Sequence, residues 1–340
     1  MSRIVIELTN RCNLSCGHCF DERHAATGDL PLEILQKVLR DGKSCGIQQM
    51  SFTGGEPTIH RQFKEIINRV AEAGYPFSFV SNGTSFPRIY QLLVKHRKWF
   101  LGVTFSLDGA RQQTHDRLRG KGSYRSVMRA ISICAFKEFP FTLNMVLTAQ
   151  NRNEIGEMVA LAEQLGSGGV RFGHLMPTPE TALRNLDLTP EERRELEPEI
   201  WRLKKIASVP IGMAPGYFSE SPFFPCGPLE LEEYNLDYNG NLTLCCQLSG
   251  HSGANYSADV IGNLNEISLM EACERFHERV ASYLADKQDK INSGAFSELD
   301  HFPCWYCLKY LGKTSWLNNF PNHPWAREED VNEKRTHANA

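Results

Sequence analysis

Most of the chain resolves into a strand–helix rhythm when its apolar and polar positions are read in order. An apolar run, Ile4, Val5, Ile6 and Leu8, reads as a buried first strand that delivers the residues after it to one end of a sheet. Apolar residues at helical spacing predict helices over 31–44, 62–73, 87–96, 124–136 and 154–165, with Asp29 capping the first and Pro31 in its opening turn. Short runs over 49–52, 77–80, 101–107, 141–147 and 170–175 read as strands. Strands alternating with helices of this length predict a parallel α/β sheet of about six units. In such folds reactive groups gather at the carboxyl ends of the strands. The polar and glycine-rich clusters fall there: residues 12–19, Gly54-Gly55-Glu56-Pro57, Ser81-Asn82, and Ser106 with Asp108.

The pattern then changes. A charged amphipathic helix over 189–205 closes the strand–helix region, and proline and glycine thicken over 210–228 as in a linker. Beyond it come cysteine pairs, aromatics and one helix over 268–284, which predict a second, smaller unit. The expected boundaries are 1–208, 209–320, and a charged, disordered tail over 321–340. There is no internal repeat.

Hydrophobic residues make up 41% and charged residues 23% of the chain, as in ordinary globular proteins. A net charge of -3 gives no footprint for nucleic acid or an anionic membrane. No apolar run is long enough to span a bilayer, and the start does not read as a signal peptide, so a cytoplasmic location is expected. In that compartment eleven cysteines point to metal, catalysis or packing rather than disulfides. Cys45, Cys134 and Cys273 sit alone in helix-like segments as small buried hydrophobes.

Cys12, Cys16 and Cys19 share one short loop. Cysteine sulfur selects iron–sulfur clusters or zinc over hard cations. A structural zinc takes four ligands, so three cysteines leave either a fourth ligand elsewhere, with His18 or His24 as candidates, or an open position.

This C-x3-C-x2-C spacing, with His18 where an aromatic commonly stands, resembles the signature of the radical S-adenosylmethionine (SAM) enzymes. Gly54-Gly55-Glu56-Pro57 resembles the turn that holds the SAM amino group in that family: glycines let backbone approach the ligand and a carboxylate suits an ammonium. The resemblance implies a partial (β/α)6 barrel. It also implies a 4Fe–4S cluster on Cys12, Cys16 and Cys19 with SAM at the open iron, and a 5′-deoxyadenosyl radical that abstracts hydrogen from substrate. Ser81, Asn82, Ser106 and Asp108 resemble positions lining the methionine and ribose of SAM. Asn144 and Arg171 point to the same end and are expected to meet SAM's carboxylate or the substrate. The implied electron donor is a flavodoxin or ferredoxin-type protein.

Cys226, Gly240 and Cys245, followed by Cys304 and Cys307, resemble the opening of the SPASM domain. No cysteine follows Cys307, so the segment looks like the shortened twitch relative. The resemblance implies one auxiliary 4Fe–4S cluster on Cys226, Cys245, Cys304 and Cys307. Cys246 in place of Cys245, and a structural zinc, are the alternatives.

His115-Asp116, Arg119-Gly120 and Gly122-Ser123-Tyr124 resemble a segment frequent in radical SAM enzymes that modify peptides. A peptide substrate is therefore expected, for crosslinking, epimerisation or oxidation. The alternatives are a small-molecule dehydrogenase or cofactor-pathway enzyme and, from another class, a non-catalytic iron–sulfur or zinc module. The molybdenum-cofactor cyclase matches less well because its C-terminal double glycine is missing, and a precursor-binding domain before the barrel is also expected to be absent. Tyr217, Asp237, Tyr238 and Cys246 are candidate acid/base or quenching groups by proximity to the auxiliary cysteines.

Overall fold

The computed structural model describes residues 2–19, 27–249 and 257–326. Six strands, β1 (Ser2–Thr9), β2 (Ile47–Gly54), β3 (Phe77–Ser81), β4 (Phe100–Ser106), β5 (Phe141–Leu147) and β6 (Val170–His174), run parallel in chain order. The helices that return the chain are α1 (Leu32–Asp41), α2 (Phe63–Glu72), α3 (Phe86–Lys95), the pair α4 (Gln112–Arg119) and α5 (Ser123–Lys137), and α6 (Ile155–Gln164). Parallel neighbours in sequential order, each reached through helix, form the expected open α/β barrel.

One face of this sheet is apolar and packs under the helices. Ile4, Ile6, Leu8, Met50, Phe52, Phe77, Phe79, Phe105, Leu143, Met145 and Phe172 are all buried on it. Its aromatic rings pack 5.3–5.7 Å apart where Phe77 and Phe79 meet Phe100 and Phe86 meets Phe105, an added stabilisation beyond area alone. Because side chains alternate along a strand, the residues between them form the opposite face, which is polar. On it Ser78 Oγ donates to Ser51 Oγ (3.3 Å), and Thr104 Oγ1 lies 3.0 Å from Thr142 Oγ1. A parallel strand covered on both sides reads as continuously apolar; this alternation marks a lumen rather than a second core.

After β6 come the short α7 (Pro179–Leu183) and α8 (Pro190–Ile206), whose Thr189 capping box fixes its start. The expected linker contains β7 (Ile211–Met213), which pairs in parallel with β6, so that stretch extends the sheet. On the other edge β8 (Glu233–Leu236) pairs in parallel with β1, then β9 (Asn241–Thr243) and β10 (Val260–Asn263) add antiparallel, completing ten strands. Gly240, at φ +83°, supplies the left-handed residue that the β8–β9 turn requires. The last helices are α9 (Leu269–Asn292), longer than expected, and α10 (Pro303–Tyr310). The start of the expected tail is packed: Trp325 is fully buried and its Nε1 donates to Leu188 O (2.8 Å). Residues 327–340, the rest of that tail, lie outside the described residues. Among the described residues no helix is long and apolar enough to cross a membrane.

Candidate metal and cofactor centre

The cysteine loop leaves the carboxyl end of β1 and is held by the end of β2. Gly55 N donates to Thr9 O (2.8 Å) and Glu56 N to Arg11 O (2.9 Å). The two glycines are needed because they abut this backbone. A Cβ on Gly54 would lie 2.1 Å from Thr9 O, and one on Gly55 would lie 2.1 Å from Arg11 O. Glycine therefore fastens the loop's first residues to the sheet. Arg11 pairs with Asp29 (2.6 Å), which ties the loop's start to the approach of α1.

The Glu56 side chain turns inward. Its carboxylate accepts from Thr58 Oγ1 (2.5 Å), Ser81 Oγ (2.9 Å) and Asn82 N (2.7 Å), locking the ends of β2 and β3 together. Burial pushes its pKa up against those donors. Pro57 opens the single 3-10 turn that follows. Asn82 spans to the loop, donating from Nδ2 to Asn13 Oδ1 (2.9 Å) and to Cys12 Sγ (3.8 Å). Asn13 Nδ2 in turn donates to Thr84 Oγ1 (2.6 Å).

Asp108, fully buried beyond β4, is the other anchor. Its Oδ1 accepts from Val146 N (2.8 Å), while Oδ2 meets Arg119 Nε and His18 Nε2, the latter at 3.2 Å. Burial raises the Asp108 pKa, but Arg119, His18 and the Val146 amide outweigh it and hold it below the usual carboxylate range. Burial pushes His18 down to about 4, so the imidazole is neutral at pH 7 and its Nε2–H donates to Asp108. Its buried Nδ1 finds no partner among the described residues. His115, also pushed to about 4 by burial, accepts from Asp108 N through Nδ1 (3.1 Å). Arg119 continues to Cys16: its Nη1 lies 4.0 Å from Cys16 Sγ, and Gly17 N donates to Leu118 O (2.8 Å) on the same helix. Thus α4, a helix not among those the apolar spacing predicts, props up the cysteine loop. Its apolar stripe is thin, with only Thr114, His115 and Leu118 buried.

The thiols fit a soft cationic centre. Burial raises the Cys12 pKa and takes Cys16 to about 12, so deprotonation there needs a bound cation as well as Arg119. Among the described residues no three His, Cys, Asp or Glu side chains converge as tightly as a single-ion site requires. His24, the other candidate zinc ligand, lies outside the described residues.

Ser106, Asn144 and Arg171 are paired in register across β4, β5 and β6. They form a polar row across the lumen face that runs from the last residue of β4 through the middle of β5 to the amino end of β6, Ser106 buried and Arg171 exposed. The structure thus sorts the expected residues into three sets. Cys12, Asn82, Ser81 and Glu56 meet on one side and Cys16, His18 and Asp108 on the other, with the Ser106–Asn144–Arg171 row crossing the lumen face. Arg119, Asn13 and His115 are the structural partners that spacing alone did not single out for this site.

The second cysteine group also comes together. Cys304 and Cys307, one turn apart on α10, face Cys226, and Cys245 and Cys246 lie within hydrogen-bond reach of each other beside Cys304. Burial pushes Cys226 up to about 12. Gln247 N donates to Cys245 Sγ (3.4 Å), and Tyr283 Oη lies 3.1 Å from Cys307 Sγ. Two buried cations border the group. Arg193, 1% exposed, donates to the carbonyls of Leu175 (2.7 Å) and Gly216 (3.3 Å), stacks 4.4 Å from Trp325, and has no partner for its buried Nε among the described residues. Burial takes its pKa down to about 10. Lys287, 2% exposed, lies over the Tyr306 ring (4.4 Å), its charge supported by Cys307, Asp300 and Cys226 against a larger burial effect. Of the sequence candidates here, Asp237 is taken up by the β8–β9 turn, accepting from Asn239 N (2.9 Å) and Asn241 N (2.8 Å). Tyr217 is buried and donates to Gly173 O (3.2 Å). Tyr238 packs on Gly28.

Residues 6–162 match the model of the radical SAM superfamily. The chain is 32% identical over 182 residues to an AdoMet-dependent heme synthase of Methanosarcina barkeri, covering 52% of this chain and 51% of the relative. It is 28% identical over 236 residues to the PqqA peptide cyclase of Gluconobacter oxydans, covering 66% and 63%. The chain spans about half the length of the curated relatives it matches first. Among solved structures, Streptococcus suis SuiB bound to precursor peptide SuiA superimposes with a TM-score of 0.62 at 16% identity, over 80% of this chain and 64% of that one. That likeness establishes the fold, a partial barrel.

Proposed function

Because the chain belongs to the radical SAM superfamily, we propose that it modifies a peptide after reductive cleavage of SAM. The observation that carries the reading is the meeting of the cysteine loop and the glycine turn at the carboxyl ends of β1 and β2, on a barrel whose polar lumen face the Ser106–Asn144–Arg171 row crosses. The family brings a 4Fe–4S cluster and SAM, which when bound supply one electron and a 5′-deoxyadenosyl radical. In this reading Cys12, Cys16 and Cys19 hold the cluster, and Asn82 and Arg119 donate hydrogen bonds toward its sulfur ligands, a means of tuning potential. Gly54, Gly55, Glu56, Pro57 and Ser81 position the loop and Asn82. Asp108 positions Arg119 and His18. Ser106, Asn144 and Arg171 face SAM and substrate, and the Arg171 guanidinium suits a carboxylate of either.

The auxiliary module, residues 209–320, then holds a second 4Fe–4S cluster through Cys226, Cys245, Cys304 and Cys307. Buried Arg193 and Lys287 support this: four thiolates around iron leave a net negative centre, and these cations offset it. The Gln247 amide on Cys245 favours Cys245 over Cys246 as ligand. A reducing cytoplasm with a flavodoxin or ferredoxin-type donor completes the setting.

The peptide is favoured by the PqqA peptide cyclase relationship and by the α4–α5 segment. The heme synthase relationship favours the second reading, a small-molecule substrate such as a porphyrin. Anaerobic turnover with the short peptide encoded beside the gene, read by mass spectrometry, separates the two. The peptide reading expects a mass loss of about two hydrogens per crosslink; an unchanged peptide together with conversion of a porphyrin would replace it with the second.

A further inference from the structure

Charge is unevenly spread on this chain. Between Arg111 and Lys137 it carries seven Lys or Arg and one acid, Asp116, a local excess of six positive charges in a protein of net charge -3. The remainder is therefore distinctly acidic, and the cations are concentrated on α4 and α5.

Three of the charges in this segment are already engaged. Asp116 accepts from Gly122 N (3.0 Å) and Tyr124 N (2.9 Å), capping α5. Arg111 pairs with Glu157, its Nε 2.7 Å from Oε2. Arg119 is buried against Asp108. Arg117 on α4, Lys121 in the turn that follows, and Arg125 and Arg129, one turn apart on the same side of α5, are all exposed. Like charges one turn apart, as Arg125 and Arg129 are, weaken a helix, and a partner of opposite charge offsets that repulsion.

Position narrows that partner. The helix that starts the stripe is the one whose inner side touches the cysteine loop, through Leu118 O to Gly17 N (2.8 Å) and Arg119 Nη1 to Cys16 Sγ (4.0 Å). The lumen row that would meet substrate lies on the sheet's other face. A protein seated on the stripe thus lies outside the barrel, close to the loop, without obstructing the lumen. Nucleic acid fits poorly: from 117 to 129 the one aromatic is Tyr124, whose hydroxyl donates to Ala110 O (3.1 Å), leaving no exposed stacking surface.

We propose that Arg117, Lys121, Arg125 and Arg129 form the docking surface for an acidic one-electron carrier protein that reduces the cluster on Cys12, Cys16 and Cys19. The proposal rests on the radical SAM reading of that loop. The carrier gives up one electron and the cluster accepts it; no bond changes at the interface. Complementary charge speeds encounter by roughly 10–1,000-fold and is screened as the Debye length contracts from about 10 Å at 0.1 M salt to about 3 Å at 1 M.

The test compares reconstituted full-length protein with R125E/R129E, with the milder R125Q/R129Q, and with a control reversal on α8, K204E/K205E. The measurements are association with an oxidised acidic flavodoxin by calorimetry and anaerobic cluster reduction by the reduced flavodoxin or by dithionite. The proposal expects association and flavodoxin-driven reduction to fall at least 10-fold in R125E/R129E and less in R125Q/R129Q. The loss should shrink at high salt, with the control variant and all dithionite rates unchanged. Unchanged flavodoxin binding and reduction in R125E/R129E overturns it, as does an equal loss in K204E/K205E. Loss of affinity only for an acidic peptide such as oligoglutamate also overturns it and assigns the stripe to peptide. Dithionite reduction without SAM cleavage in the unaltered protein would instead fault the underlying reading.

Discussion

Gly55→Ala is the smallest change that tests how the cysteine loop is built. The new Cβ would stand 2.1 Å from Arg11 O and 2.5 Å from Arg11 C, both backbone atoms without rotamers to move. A normal contact is more than 1 Å longer, so the turn and the loop must separate. Overpacking of this kind costs about 1–3 kcal/mol. Separation also strains the Gly55 N to Thr9 O and Glu56 N to Arg11 O hydrogen bonds, each worth about 1 kcal/mol. Together these give a loss of roughly 2–5 kcal/mol, largely local to residues 9–12. The assay is iron content and electron paramagnetic resonance after anaerobic reconstitution, with circular dichroism to establish folding. The expected outcome is a folded variant that loses the cluster on Cys12, Cys16 and Cys19 and keeps the auxiliary iron. Gly156→Ala is the control: it sits in α6 with nothing within 4 Å of its added Cβ and should gain up to about 1 kcal/mol. Full iron loading and unchanged melting in Gly55→Ala would refute the reasoning.

Cys304→Ala should lower iron from about eight to about four per chain while leaving SAM cleavage under dithionite measurable; a loss of zinc rather than iron would mark the second site as structural. Lys287→Met should shift the auxiliary cluster's reduction potential down by on the order of 50–150 mV, from removal of one unit charge at an effective dielectric near 20, without lowering stability. An unmoved potential in redox titration would show that Lys287 does not offset the cluster. His115 has a folded pKa of about 4, below its unfolded 6.5, so the stability it contributes is complete above pH 6.5 and is lost as pH falls toward 4. The loss is about 3 kcal/mol at most. His115→Asn keeps an acceptor for the Asp108 amide and cannot titrate, so its urea midpoint should fall less between pH 7.5 and 5 than the parent's; equal falls would count against this account.

The strand–helix alternation was legible because each parallel strand is apolar on the face its helix covers, and helices with wide apolar stripes, such as α1 and α2, were placed within one to three residues at each end. Helix α4 was missed because it is anchored by Asp108 and the cysteine loop rather than by an apolar stripe. The short strands β7, β8 and β9 were missed for a related reason: each is only three or four residues long, and β7 and β8 depend on partner edges far away in sequence, β6 and β1. The motifs at the strand ends were visible as motifs, but their division of labour was not. Glu56 and Asp108 read as groups for a ligand, whereas their carboxylates are taken up by Ser81, Thr58 and Asn82 in one case and Arg119, His18 and Val146 in the other. Spacing names a residue; only the fold shows which way it turns. The lumen could have been found earlier, since Thr104, Ser106, Thr142 and Asn144 alternate with phenylalanine, leucine and methionine along β4 and β5.

The central claim is that Cys12, Cys16 and Cys19 present an open coordination position that SAM fills. Anaerobic incubation of the fully iron-loaded protein with SAM and dithionite, followed by quantification of 5′-deoxyadenosine and methionine, tests it most directly. The account predicts both products in equal amounts, and none from Cys16→Ala with its auxiliary iron intact. A fully loaded protein that forms no 5′-deoxyadenosine, or a Cys16→Ala variant that forms it undiminished, would contradict the account.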